Sequence, residues 1–197
     1  MARPRSFDEN QVLDTAMRTF WANGYESTST RDLCEALGLD RSSVYNAFTN
    51  KRELFKRALI RYMDTTTAEQ LRILDDPELP AIERIRAVFA KILRSEADNR
   101  RDGHGLGCLV VNTTMELAAR DPEIALLLDR DNERRLADLS AVIASGQRNG
   151  DIGSARPAAE LARFVNAVIA GIRVSAQGGA DDATVAAIAA TAVDALT

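Results

Sequence analysis

Apolar residues recur at helical spacing along almost the whole chain, and this pattern constrains the fold more than any other feature of the sequence. The first such segment carries them at i, i+1, i+4 and i+5, which places them on one face of a helix. These residues are Val12, Leu13, Ala16, Met17, Phe20 and Trp21. The alternation of apolar and polar residues that is typical of strands is not found. The pattern therefore predicts an all-α fold of about nine helices.

Capping residues and helix breakers divide the apolar pattern into separate helices. Ser6 and Glu9 have the spacing of a capping box, so the first helix is predicted to begin near Phe7. Asp121 followed by Pro122 is typical of an N-cap and first helical residue, and predicts a long helix that extends through residue 143. The other predicted helices cover 30–37, 41–48 and 51 to about 74, or start near 80, 109, 157 and 182.

Composition excludes several classes of protein. Hydrophobic residues make up 46% of the chain and charged residues 27%, which are proportions of a globular protein. No stretch approaches the roughly 18 consecutive apolar residues that span a bilayer, and the first residues lack the apolar segment of a secretory signal. Two cysteines, Cys34 and Cys108, indicate a reducing compartment, and a single histidine, His104, rules out most His-based metal sites. The sequence therefore predicts a cytoplasmic protein that is not an enzyme and needs no metal or other cofactor.

Charge is distributed unevenly along the chain. Residues 1–62 carry ten Lys or Arg and eight Asp or Glu, whereas residues 63–197 carry fifteen and twenty-one. A mildly basic N-terminal segment followed by an acidic C-terminal segment favours a protein that binds a polyanion through its N-terminal segment only. We predict two domains, 1–62 and 63–197, which meet within the fourth helix because both halves need its apolar face.

Residues 28–48 have the pattern of a helix-turn-helix, with a tight turn at residues 38–40. The predicted contacts between its two helices involve Leu33, Ala36, Leu37, Val44 and Phe48. The second helix then presents short polar side chains, which fits a helix whose N-terminal residues reach base edges in the major groove of DNA. Those side chains are Arg41, Ser42, Ser43, Tyr45, Asn46 and Thr49. Because short polar helices are also common on surfaces, an adaptor that binds proteins is an alternative.

A wider set of residues continues this pattern on both sides of the turn. It comprises Ala16, Phe20, Gly24, Tyr25, Thr28, Thr30, Arg31, Asp32, Leu33, Ala36, Gly38, Leu39, Val44, Tyr45, Phe48, Asn50, Lys51, Glu53 and Leu54. With these residues, segment 7–62 resembles the DNA-binding domain of the TetR family of bacterial transcriptional repressors. The resemblance implies that Tyr45 and Lys51 contact backbone phosphates, and that Thr28 caps the second helix beside residues that reach phosphate. It also implies that these positions lie at the DNA: Thr30, Arg41, Ser42, Ser43 and Asn46.

Two positions depart from the family pattern. Asn46 stands where a histidine is frequent, and this change alters base preference because Asn pairs with adenine through two hydrogen bonds. Thr49 stands where a basic residue is frequent, which removes one phosphate contact. Arg3 and Arg5 either supply charge from an N-terminal arm or belong to an ordinary solvated terminus. In the fourth helix, 57 and 61 are arginines that we expect to be solvated or salt-bridged rather than bound to DNA.

The C-terminal part resembles the dimerisation and ligand-binding domain of the same family. The resemblance implies a homodimer built from the last two long helices on palindromic operator DNA, and the eighth helix is apolar nearly all round. Burial inside one subunit is the alternative explanation of that helix. The predicted interface residues are Leu161, Val165, Val168, Ile169, Ile172 and Ile188.

A pocket among the fourth to eighth helices is predicted to bind a small apolar effector that releases the repressor from DNA. Mostly apolar walls with one or two polar groups are typical of small-molecule sites. The predicted lining is Met63, Phe89, Leu93, Cys108, Val111, Asn112, Met115 and Phe164. For any single one of these residues, a place in the ordinary core is the alternative.

Cys108 suggests an alternative sensor on the same fold. Some repressors of this family detect oxidants or electrophiles through a cysteine in this kind of Gly-Cys context, which requires a lowered thiol pKa. Arg100, Arg101 and His104 precede Cys108 in the sequence. A buried, unreactive cysteine is nevertheless the favoured interpretation.

Overall fold

The computed structural model describes residues 8–101 and 105–197, and this part of the chain forms nine α-helices and no strand. The helices are α1 (Glu9–Asn23), α2 (Thr30–Leu37), α3 (Arg41–Phe48), α4 (Lys51–Leu74), α5 (Ala81–Arg101), α6 (Leu109–Leu117), α7 (Pro122–Asn149), α8 (Ala158–Gln177) and α9 (Asp182–Asp194). The predicted all-α fold is confirmed. No helix in the described ranges is long and apolar enough to cross a bilayer.

The first helix begins later than the capping pattern predicts. α1 starts at Glu9, because the side chain of Asp8 accepts a hydrogen bond from the backbone N–H of Asn10 at 2.9 Å and so caps the helix. The predicted cap, Ser6, and the predicted first residue, Phe7, lie outside the described residues.

The seventh helix is longer than predicted. It continues past 143 to Asn149, because Ile143 and Gly146 are still buried and extend its packed face. Gly150, with a φ of 81°, then ends the helix in the left-handed conformation that glycine adopts without steric cost.

Two clusters of buried apolar side chains stabilise the fold. The N-terminal core is formed by α1–α4 together with both ends of α6 and the first two turns of α7, whereas the body core is formed mainly by α5, α8, α9 and the C-terminal half of α7. α4 serves both, because it contributes Leu59 to the first and Leu74 to the second. Since Leu109 and Ile124 also fill the N-terminal core, the two parts of the chain share buried surface. The division into 1–62 and 63–197 stays a prediction.

Candidate DNA-binding surface and effector cavities

Local capping groups position the helix-turn-helix. Ser29 and Asp32 form a reciprocal capping box at the start of α2, and Gly38, with a φ of 62°, ends that helix. Asp40 caps α3 by accepting a hydrogen bond from the Ser43 N–H at 2.7 Å. Because these signals lie within a few residues of each helix end, α2 and α3 begin and end where the sequence predicts.

The packing between α2 and α3 differs from the prediction at one residue. Leu33, Val44 and Phe48 are buried in the N-terminal core as expected, and Leu37 packs against them. Ala36 is exposed and is therefore not the point of close approach between the two helices. Leu33 and Leu37 are the leucines of α2 that join the N-terminal core, whereas Ala36, three positions after Leu33, lies at the exposed edge of that face.

Thr28 is not a DNA-contacting residue or a helix cap in this structure. Its side chain is fully buried, and its hydroxyl donates a hydrogen bond to the Gly24 carbonyl at 2.6 Å. The α2 cap is the next residue, Ser29. The sequence offers Ser27, Thr28, Ser29 and Thr30 in a row, and only the path of the chain after α1 decides which hydroxyl reaches the helix end.

The outer face of α3 carries the predicted polar residues. Arg41, Ser42 and Asn46 are exposed, as is Thr49 just after the helix, whereas Ser43 is half-buried. The Ser42 hydroxyl donates to the Asp40 carboxylate at 2.6 Å, so it already holds a partner within the turn. This face is available to a DNA groove.

Tyr45 is held in place by two neighbours. Its hydroxyl lies 3.0 Å from that of Thr30, and the Arg41 guanidinium lies 5.2 Å from the centre of its ring. The hydrogen bond with Thr30, followed by that with Arg41, lowers the pKa of Tyr45. Three predicted DNA residues from two helices therefore form one polar cluster.

Lys51 is the first residue of α4, shortly after the end of α3. Its ammonium is 4.3 Å from the centre of the Tyr25 ring, and that ring packs against Phe55 at a centroid distance of 4.8 Å. Asn50 caps α4 by accepting a hydrogen bond from the Glu53 N–H at 2.8 Å. The cap and the ring fix the position from which Lys51 extends.

Several other basic residues of α4 are held by carboxylates. Arg57 pairs with Glu9, and Arg61 pairs with Asp14 at 2.5 Å, which confirms the expectation of salt bridges at 57 and 61. Lys56 lies 2.6 Å from Glu123. Arg41 and Lys51 differ from these residues because each lies over an aromatic ring and forms no salt bridge within the described part of the chain. Arg3 and Arg5 lie outside the described residues.

Two polar contacts fasten the DNA-binding helices to α6 and α7. The Glu116 carboxylate accepts hydrogen bonds from the backbone N–H groups of Tyr25 at 3.0 Å and Glu26 at 2.8 Å. Arg52 donates two hydrogen bonds to Asp121, both at 2.8 Å, and these lower the pKa of Asp121 to about 2. Because Tyr25 also contacts Lys51, α6 is linked to the DNA-binding surface through Glu116.

Two neighbouring cavities lie beside α6. The first, of about 530 Å³, is lined from α1 and α4–α8, and the second, of about 650 Å³, from α6, α7 and α8. Both volumes are in the range of small-molecule sites. Four residues belong to both linings: Cys108, Val110, Arg135 and Arg173. We refer to these four residues as the shared wall.

The structure brings only part of the predicted pocket lining together. Cys108 lines both cavities, and Val111 and Met115 line the second. Met63 and Phe89 are buried in the two cores instead, and Leu93 packs against the body core. These three face other helices because each follows the buried stripe of its own helix.

Two further predicted lining residues have other positions. Asn112 lines neither cavity, because its side-chain amide donates to the Leu106 carbonyl at 2.9 Å and holds the segment before α6. Phe164 is 41% exposed on the opposite side of α8. Neither residue therefore lines the two cavities beside α6.

Two family profiles match the chain. One, described as bacterial regulatory proteins of the tetR family, matches residues 12–58. The other, described as the C-terminal domain of tetracyclin-repressor-like proteins, matches residues 81–192. The chain belongs to the TetR family. The resemblance predicted from the sequence is confirmed.

Relatives of this TetR-family chain are regulators of transcription. The HTH-type transcriptional repressor ComR of Escherichia coli K12 is 33% identical over 178 residues, which cover 90% of this chain and 83% of ComR. YezE, an uncharacterized HTH-type transcriptional regulator of Bacillus subtilis, is 29% identical over 84% of each chain. A solved structure of a cysteine mutant of the regulator CifR with 26-base-pair operator DNA matches with a TM-score of 0.85 and 27% identity, and both chains are covered completely. This chain is accordingly a DNA-binding regulator and not an enzyme.

Most of the residues predicted for a TetR-family dimer interface are not at the surface. Leu161, Val165, Ile169 and Ile172 are buried within the subunit, where they pack in the body core. The sequence alternative, burial inside one subunit, is therefore correct for these four. They are buried because they share the one stripe of α8 that faces the other helices of the body.

The remaining predicted interface residues lie in an apolar groove on that outer side. Val168 and Ile188 are partly exposed and line this groove together with the exposed Phe164. The rest of the lining is small: Thr184, Ala187, Thr191 and Ala192. We call this surface the α8–α9 groove.

Sequence reasoning missed Tyr62, Trp21, Arg135 and Arg173 as cavity residues. The Tyr62 hydroxyl donates to the Cys108 sulfur at 3.5 Å, and burial raises the pKa of Tyr62. The sequence did contain a signal for Arg173. Residues 164–172 of α8 are apolar except for Asn166, and the charged Arg173 follows them directly. The aromatic residues carried no such signal, since they fit the ordinary apolar stripes of α1 and α4.

Proposed function

We propose that this protein is a homodimeric, cytoplasmic repressor that binds a palindromic operator and is released by a small effector with an apolar body. The observation that carries the proposal is the exposed N-terminal half of α3 with its Arg41–Tyr45–Thr30 cluster, followed by Lys51 at the start of α4. These residues combine phosphate-binding and base-reading chemistry on one surface. Two relatives support the proposal, because ComR is a transcriptional repressor and CifR was solved in complex with operator DNA.

A dimer would present two copies of this surface to the operator. Two recognition helices enter successive major grooves when they are about 34–36 Å apart. The α8–α9 groove supports this arrangement, because Phe164, Val168 and Ile188 offer an apolar surface at the end of the body.

The effector would act by moving α6 relative to the DNA-binding helices. Thr114 and Met115 line the second cavity, and the next residue, Glu116, binds the backbone of Tyr25 and Glu26. A ligand that fits the cavity better when α6 is displaced would loosen this contact and change the position of Lys51. Couplings of this kind are typically about 1–3 kcal/mol.

A gel-shift experiment tests the proposed function. Purified full-length protein and the DNA that flanks its own coding region should give a specific shift that an unlabelled copy of the fragment competes away. The adaptor alternative predicts that no operator-like fragment shifts, and this result would exclude the repressor. Random DNA of equal length is the control for nonspecific binding.

A thiol sensor is the second candidate function, and the position of Cys108 in the shared wall supports it. The CifR structures with DNA are of cysteine mutants. The sensor predicts that hydrogen peroxide abolishes operator binding of the wild type and spares Cys108→Ser. Because Cys108 is only 5% exposed, we expect equal binding with and without peroxide for both proteins. A peroxide effect that Cys108→Ser removes would overturn this expectation.

A further inference from the structure

Arg173 is a cation in the shared wall whose carboxylate partner is distant. Its side chain is 18% exposed, and its Nη1 lies 3.5 Å from Glu96 Oε1. The other cations lining the first cavity have closer partners, since Arg61 lies 2.5 Å from Asp14 and Arg135 lies 3.2 Å from Asp131. Lys91 pairs with Glu69. Arg173 is thus the least tightly paired of these four cavity cations.

Glu96 is a poor counter-ion for Arg173. Its side chain is 2% exposed, and its Oε1 accepts no hydrogen bond from the described residues. Burial raises the pKa of Glu96, which means that its surroundings favour the uncharged form. A buried guanidinium without a well-placed carboxylate retains most of its desolvation penalty, so an incoming anion would be stabilised there.

Two further donors of the cavity lining have only weak or poorly aligned partners. The Tyr62 hydroxyl has the Cys108 sulfur as its acceptor at 3.5 Å, and sulfur is a weak acceptor. The buried Nε of Arg135 lies 3.2 Å from Asp131 Oδ2, but this ion pair lacks the geometry of a hydrogen bond. An acceptor group that enters at the shared wall would therefore meet donors from α4, α7 and α8.

The second cavity supplies an apolar space next to these donors. Leu128, Ile169, Val174 and Val111 contribute to its lining. A ligand that fits both features has a charged end at the shared wall and an apolar body along α6 and α8. The planar, two-oxygen shape of a carboxylate matches the donor fork of a guanidinium.

We propose that the effector is a carboxylic acid with an apolar body, whose carboxylate binds Arg173. The inference rests on the ligand-sensing part of the proposed function and specifies the chemical class of the ligand. It gives Arg173 the role of the residue that discriminates an acid from a neutral compound of the same shape.

Fluorescence of Trp21, the single tryptophan, provides the binding signal. The indole lines the first cavity, and its ring centre lies 5.1 Å from that of Tyr62. Octanoate and phenylbutanoate are titrated to about 1 mM against octanol and phenylbutanol, which have the same bodies without the charge. We expect at least one acid to bind about tenfold or more tightly than its alcohol.

Two variants change that preference in opposite directions. Arg173→Met keeps the approximate length of the side chain and should bring the acid down to the affinity of its alcohol. Glu96→Gln should tighten acid binding, because the amide cannot ionise and compete with the ligand for Arg173. Arg134→Met, on the exposed part of α7, is the matched control and should behave as the wild type.

Three results would overturn the inference. They are failure of both acids to bind the wild type, equal binding of each acid and its alcohol, and an acid preference that survives Arg173→Met. If Arg173→Met does not fold, the acid affinity of Glu96→Gln decides the test, and an affinity no tighter than that of the wild type would overturn the inference. Operator binding by the ligand-free wild type tests the proposed function separately, so a failure of the carboxylate assignment leaves the two outcomes distinguishable.

Discussion

Phe164→Arg is expected to convert the proposed dimer into monomers and to weaken operator binding about 100-fold or more. The side chain is 41% exposed at the α8–α9 groove, so an arginine there would leave the fold of the subunit intact. It would place a charge from each subunit near the symmetry axis, in an apolar contact. A monomer loses the second half-site, and with it the gain from binding two sites at once.

Light scattering coupled to size-exclusion chromatography measures the mass, and a gel shift measures the affinity. Leu126→Arg is the matched control, because it also replaces an exposed apolar residue, at 48% exposure, on α7 outside the groove. Val165→Arg differs in kind, since Val165 is fully buried and its replacement should unfold the body. If the Phe164 variant remains a dimer with normal operator affinity, the α8–α9 groove is not the interface.

Lys51→Ala is expected to weaken binding to operator and random DNA alike, by about tenfold at low salt. The ammonium extends from the start of α4 over the Tyr25 ring, next to the α3 surface, where it would neutralise a phosphate. Because a dimer carries two copies of Lys51, their loss should make the plot of log affinity against log salt less steep, by about 2 in slope.

Lys56→Ala is the matched control for this prediction. Lys56 lies five positions further along α4 and is held by Glu53 at 2.9 Å and Glu123 at 2.6 Å. Its ammonium is therefore occupied, and its removal should leave the salt slope unchanged. Equal slopes for the wild type and Lys51→Ala would contradict the proposed phosphate contact of Lys51.

The helix-turn-helix could be predicted closely because its signals are local. Gly38 and Asp40 act within one turn of the helix ends they define, and the buried positions of Leu33 and Val44 follow from helical periodicity. The exposed position of Asn46 follows from the same periodicity, since it lies opposite the buried face, whereas Arg41 is exposed as the first residue of α3. The wrong assignment of Thr28 shows the limit, because four adjacent hydroxyl or capping residues are equivalent in sequence.

The cavity and the contacts that join it to the DNA-binding helices could not be predicted in the same way. Glu116 and Tyr25 are 91 positions apart, and no spacing rule links them. Arg173 and Glu96 lie on different helices, and each is an ordinary charged residue of a helical sequence. Their proximity depends on how α5, α6 and α8 cross, which no local pattern encodes.

The sequence by itself determined the helices, the turn of the DNA-binding motif and the family, because helical period, caps and breakers act over short distances. Only the tertiary structure decided which side of an apolar helix is covered. On α8, it buries Val165 and Ile169 and leaves Phe164 and Val168 at the surface. A helix that is apolar nearly all round does not specify its own inner face, since that face is chosen by the helices that pack against it.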